Sequence, residues 1–71
     1  MVFEDICTNN LQVNFSPSND EFYVEIKDLH DNRELAFWGD RIFADNVYRL
    51  AQKFDDFNVV VNGVRVLLES A

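Results

Sequence analysis

The residues with the greatest chemical capacity crowd into one stretch, "DLHDNRE", which carries Asp28, His30, Asp31, Asn32 and Glu34. Oxygens at this density can ligate a hard divalent cation, and an imidazole such as His30 can exchange a proton near neutral pH. The stretch nevertheless lacks the glycine and the twelve-residue spacing of oxygen ligands that build a calcium loop. Its residue types are also those that a tight turn demands, because Asp and Asn accept left-handed backbone and bond to neighbouring amides. The cluster therefore reads first as a turn, and only second as a metal or catalytic centre.

Other routes to catalysis are thinner. The chain has one cysteine, Cys7, and one histidine, His30, with nothing to bring them together and no third group to orient them. A small apolar cysteine is ordinarily a packing residue. Two glycines leave no room for a phosphate-cradling loop. No cofactor, metal or catalytic residue is expected.

A different constellation has better credentials for recognition. Tyr23, Glu25 and Trp38 fall at positions that the core does not require, in a stretch where Val24, Ile26 and Phe37 supply the apolar face. Tyrosine and tryptophan recur at binding hot spots because they bury a large area at low entropy cost and keep a polar tip. Carboxylates beside them suit a partner that presents arginines, through stacking as well as charge. The competing reading places Trp38 in the core, where most tryptophans largely reside.

Charge narrows the class of partner. The net charge is −7, from thirteen acids against six lysines and arginines. Such a chain cannot neutralise a nucleic-acid backbone, and it is repelled by anionic lipid. Residues 1–31 hold Glu4, Asp5, Asp20, Glu21, Glu25, Asp28 and Asp31 against Lys27 alone, whereas residues 32–71 are near balance. The acidity thus belongs to the first half and favours a basic partner surface, although solubility alone also rewards it. The start, "MVFEDICTNN", lacks the basic and apolar regions of a signal peptide, and the unpaired thiol suits a reducing compartment, so a cytoplasmic location is expected.

The elements that must position these residues follow from periodicity. Leu11, Val13 and Phe15 alternate with polar neighbours, as do Phe22, Val24 and Ile26, which predicts two strands around the turn "SPSNDE". A turn centred on Asp31-Asn32 then predicts a third strand, with Ile26 opposite Phe37, Asp28 opposite Leu35, Glu25 opposite Trp38 and Lys27 opposite Ala36. A slip of one residue there would bury Trp38 instead. Phe43, Val47, Leu50, Ala51 and Phe54 trace a helical stripe, opened by Asp40 or nearer Ala44, with Asp45 and Arg49 paired at four residues. In "FNVVVNGVRVLLE", Asn62-Gly63 between valines predicts a two-residue hairpin, with Val59, Val61, Val64 and Val66 inward and Val60 and Arg65 outward. Val2, Phe3, Ile6 and Cys7 suit either an edge strand or one helical turn.

The expected fold over residues 1–71 is one small α+β domain of order βββαββ, an antiparallel sheet of four to five strands with one helix across one face. Its expected core is Leu11, Val13, Phe15, Phe22, Val24, Ile26, Phe37, Val47, Leu50, Phe54, Val59, Val61, Val64 and Val66. The expected function is a non-enzymatic, acidic protein-interaction module whose binding residues are Asp20, Glu21, Tyr23, Glu25, Asp28, Asp31 and Trp38. Its partner is a protein with a basic surface, such as a nucleic-acid-handling enzyme. One concrete form is a small inhibitor of phage or mobile-element type that imitates nucleic-acid charge. The alternative is a homodimeric structural or accessory domain joined through its open sheet. An unrecognised enzyme or metal-binding protein stands third.

Overall fold

The structure, a computed structural model, describes residues 3–69. They form β1 (Ile6–Cys7), β2 (Leu11–Ser18), β3 (Glu21–Asp28), β4 (Glu34–Gly39), α1 (Arg41–Lys53) and α2 (Phe57–Glu69). The four strands make one antiparallel sheet in chain order, and both helices cover one side of it, giving an α+β fold. Of the opening residues, Ile6 and Cys7 take the edge-strand alternative, and Val2 lies outside the described residues.

Alternation dictates the sheet. Leu11, Val13, Phe15, Val24 and Ile26 are buried beneath the helices, and the residues between them face away. Strand β2 runs further than its alternation indicated, through Pro17 to Ser18, and turns tightly at Asn19-Asp20. Pro17 is tolerated because β1 pairs only with Gln12 and Val13, so this end of β2 is a free edge that needs no ladder donor. Asn19 and Asn32 carry positive φ, 56° and 55°, as expected of the amide-bearing turn residues.

The β3–β4 register differs from the expected one by two residues. Ile26 pairs with Leu35, Glu25 with Ala36, Lys27 with Glu34, and Tyr23 with Trp38. The physical reason is the Asp28 side chain, whose Oδ1 accepts from the amides of His30 (3.0 Å) and Asp31 (3.3 Å). Those bonds open the connection into a loop closed by the Asp28 amide donating to the Arg33 carbonyl at 2.7 Å. A shift of two preserves both faces, so Trp38 stays on the side away from the helices.

Helix α1 takes the earlier of the two expected starts: Asp40 caps it by accepting from the Phe43 amide at 2.8 Å. The Arg49–Asp45 pair forms at 3.2 Å. The last segment is a correction, because residues 57–69 are a helix and not a hairpin. Asp56 caps it, its Oδ1 accepting from the Asn58 and Val59 amides. Phe57, Val60, Val61 and Val64 then fall on one buried stripe. A single helix leaves much of a four-stranded sheet uncovered, and burial of this second stripe overrides the weak helix propensity of valine.

Gly63 therefore serves close packing and not a turn. A Cβ there would stand 2.8 Å from Leu50 Cδ1 on α1. The helical period also reverses the valines of the expected core, because Val59 and Val66 are exposed while Val60 is buried; elsewhere Phe54 is exposed, and Ala44 and Phe3 join the core. Phe3 joins a cluster with Phe15, Phe22 and Tyr48, at ring-centroid distances of 5.4, 5.3 and 5.5 Å. These aromatic contacts supply the area that a short chain otherwise lacks.

Gly39 is the tighter constraint. It pairs with Phe22, and a Cβ on it would lie 2.1 Å from Phe43 Cδ2 and 2.8 Å from Phe43 Cβ. Gly39→Ala is expected to lower stability by about 1–3 kcal/mol, because the Phe43 ring must leave its contact with Phe37. A shift of the urea midpoint checks this. An unchanged midpoint would mean that α1 moves freely at its start.

Candidate functional site

The side of the sheet opposite the helices is built from the alternate residues of three strands. Tyr23 sits opposite Ser16 on β2 and opposite Trp38 on β4, while Glu25 sits opposite Asn14 and Ala36. The Tyr23 and Trp38 rings meet with centroids 4.9 Å apart and planes inclined at 48°. Trp38 is 55% exposed, the large aromatic most open to solvent, because β4 is an edge strand and its neighbour along the strand on this face is Ala36. Ser16 and Ala36 leave the flanks of the pair unobstructed.

Carboxylates bracket this pair. Glu21 and Glu25 lie on the same strand face as Tyr23, two residues before and two after it, and are thus separated by about 13 Å. Asp20, exposed in the β2–β3 turn, adjoins Glu21. Lys27 and Glu34 face one another across the far end of the same surface. The face is therefore acidic around its aromatic centre and mixed in charge at its end.

Two of the expected binding residues stand apart. Asp31 lies in the β3–β4 loop at the far end of β3, about 25 Å from Asp20 along the strand, and bonds to Arg33 at 3.4 Å. Asp28 points to the helix side and is only 8% exposed. Its Oδ2 accepts from Arg33 Nη2 at 2.7 Å. The structure thus gathers Asp20, Glu21, Tyr23, Glu25 and Trp38 on one face and turns Asp28 inward. Ser16 and Asn14 join the face without having been singled out, although the polar half of the β2 alternation was a readable sign of them, and Glu34, first read with the polar turn, lies at its end.

The polar stretch that looked most chemical forms a seam that ties loops to helices. Arg33 also donates to Asn58 Oδ1 at 3.1 Å, and its guanidinium lies 4.8 Å from the centroid of Phe57. His30 Nε2 and Asn10 Oδ1 are 2.7 Å apart, Asn10 Nδ2 donates to Asp55 at 2.7 Å, and the Thr8 hydroxyl bonds to the same carboxylate. All of these residues except Thr8 line a cleft of about 290 Å³. Their hydrogen bonds point at one another, joining the β1–β2 and β3–β4 loops to the segment between the helices. Among the described residues no group of three acidic, histidine or cysteine side chains is placed to hold a metal ion, and no helix is long and apolar enough to cross a membrane.

Comparison with known protein families, with curated proteins and with solved structures yields no match to this chain. Function must therefore be argued from the surface itself.

Within the seam, Asp28 has a measurable signature. The Arg33 guanidinium, then the His30 and Asp31 amides, hold its carboxyl below the ordinary value of 3.8, against the opposing effect of burial. A lowered folded-state pKa means that the ionised carboxylate binds the folded form better. Its contribution is complete above about pH 4 and is lost as pH falls through the lower folded value. Asp28→Asn is expected to lower the urea midpoint at pH 7 and to flatten its decline below pH 4. Parallel curves for the two proteins down to pH 2 would show that the pair contributes nothing.

Proposed function

We propose that this protein is a non-enzymatic interaction module that docks the open face of its sheet on a basic surface of a partner protein. The observation that carries the proposal is the solvent-exposed Tyr23–Trp38 ring pair set between Glu21 and Glu25. An uncovered aromatic pair gains more than most side chains from exclusion of water, and flanking carboxylates select a partner with arginines or lysines. Arginine matches both components, since its guanidinium stacks on a ring while donating to a carboxylate. In its specific form, the module is a small inhibitor of phage or mobile-element type that masks a nucleic-acid-binding surface. The overall charge of −7 supports that form by steering the chain toward cationic sites.

The test is capture of partners from cell extract at low and high salt, with Trp38→Ala as the control bait. The expected result is a protein retained at low salt, weakened at high salt and lost with Trp38→Ala. Capture that ignores both salt and Trp38 would overturn the proposal. Retention of proteins with no nucleic-acid-binding surface would overturn the inhibitor form alone. The single tryptophan supplies a second readout, because its emission shifts to shorter wavelength when a partner covers it.

A further inference from the structure

The outer side of the helix pair carries a second surface, which meets the sheet face only at its edge, where Trp38 lines the end of the groove. Helix α2 is apolar around most of its circumference: beyond its buried stripe, Val59 and Val66 are 41% and 59% exposed, and Leu68, at the open end of the stripe itself, is also exposed. A helix apolar on two sides ordinarily has neighbours on two sides. Ile42 on α1, 73% exposed, continues the same surface. Two adjoining hollows of about 430 and 330 Å³ share Asn46 and Leu67, so the groove between the antiparallel helices is continuous from Phe54 to Ile42.

Charge along this groove is polarised. Arg49 and Lys53 rim one end, where Lys53 Nζ lies 5.3 Å from the centroid of the Phe54 ring. Asp40 lines the other end, near the α2 terminus at Glu69. A surface that is apolar in the middle, cationic at one end and anionic at the other is complementary to itself under a two-fold rotation. The rotation sets Lys53 of one copy toward Asp40 of the other, about 20 Å away along its own helix. It also runs the two α1 helices antiparallel, which favours their dipoles.

We propose that the occupant of this groove is a second copy of the chain, and that the protein is a two-fold dimer paired helix layer to helix layer. The two sheet faces with Tyr23 and Glu25 then point outward in opposite directions, with Trp38 at the border between the sheet face and the groove. A standard interface covers about 800 Å² per subunit, roughly a sixth of the 4706 Å² surface described. Both helices come from residues 32–71, which are near charge balance, so association there meets less repulsion than through the acidic first half.

The test is light scattering through a dilution series from high to low micromolar, with the wild type and four variants. The expected result is a mass that falls from twice 8.3 kDa to 8.3 kDa on dilution. Ile42→Asp and Val66→Ser are each expected to raise the dissociation constant at least about tenfold. Ile42→Asp adds a carboxylate in the first turn of α1, where the helix tolerates it, and circular dichroism verifies that the fold survives. Lys53→Glu weakens the dimer at low salt, and Glu25→Gln, on the sheet face and outside the groove, leaves it unchanged. A monomer throughout the series would overturn the proposal, and so would a dimer dissolved by Glu25→Gln but indifferent to Ile42→Asp. Neither result bears on binding by the sheet face, which is read from partner capture.

Discussion

Val60→Asp is expected to unfold this protein, whereas Val59→Asp leaves it folded. Val60 is fully buried between α2 and the rest of the core, with a relative exposure of 0%. A carboxylate there has no cation to meet, and the expected loss is at least about 4 kcal/mol. A chain of this length commands only about 4–10 kcal/mol in total. Val59 lies one residue earlier, on the first turn of α2 and open to water. A carboxylate at a helix N-terminus interacts favourably with the unpaired amides, so the change stays within about 1 kcal/mol. A hairpin through Asn62-Gly63 would reverse the order, with Val59 inside and Val60 outside. Far-UV circular dichroism and urea unfolding of the two variants therefore decide between the helix and the hairpin directly.

The second large effect concerns binding. Trp38→Ala is expected to weaken association with the partner by about 2 kcal/mol or more, roughly thirtyfold, while leaving the urea midpoint nearly unchanged. The two consequences separate because the indole lies on an edge strand, on the face opposite the helices. Tyr23→Ala should weaken binding too, and the double variant should lose less than the sum, since the rings contact each other. Glu25→Lys should slow association and reduce its salt dependence, because it inverts a charge beside the ring pair. Calorimetric titration of the captured partner against these variants measures each of them, and tryptophan emission follows those that keep Trp38. A partner that binds Trp38→Ala with unchanged affinity would move the site off this face.

The sheet was the most legible part of the fold. Period-two alternation in residues 11–15 and 22–26 names the buried face of β2 and β3 directly, because a strand has only two sides. Asp40 as the α1 cap was readable for a similar reason, since capping depends on residues three apart in the chain. The face assignment of Trp38 survived a register error because the error was an even number of residues.

Three features required the tertiary structure. "VVVNGVRV" satisfies both a hairpin and a helix locally, and the choice fell to the uncovered area of the sheet, a quantity distributed over the whole molecule. Gly63 is explained by the approach of Leu50, thirteen residues away. The fate of "DLHDNRE" was decided the same way, because its bonding partners include Asn10, Phe57 and Asn58, which no local pattern connects to it.

The candidate site divides along the same line. The sequence by itself determined that Tyr23, Glu21 and Glu25 share a strand face, because alternation is a local geometric fact. It also determined the acidity of that half of the chain. Only the tertiary structure decided that Asp28 turns inward to Arg33, that Trp38 stacks on Tyr23, and that the helices leave this face uncovered. Those outcomes depend on the β3–β4 register and on where two helices find area to bury, and both are settled by contacts between residues distant in the chain.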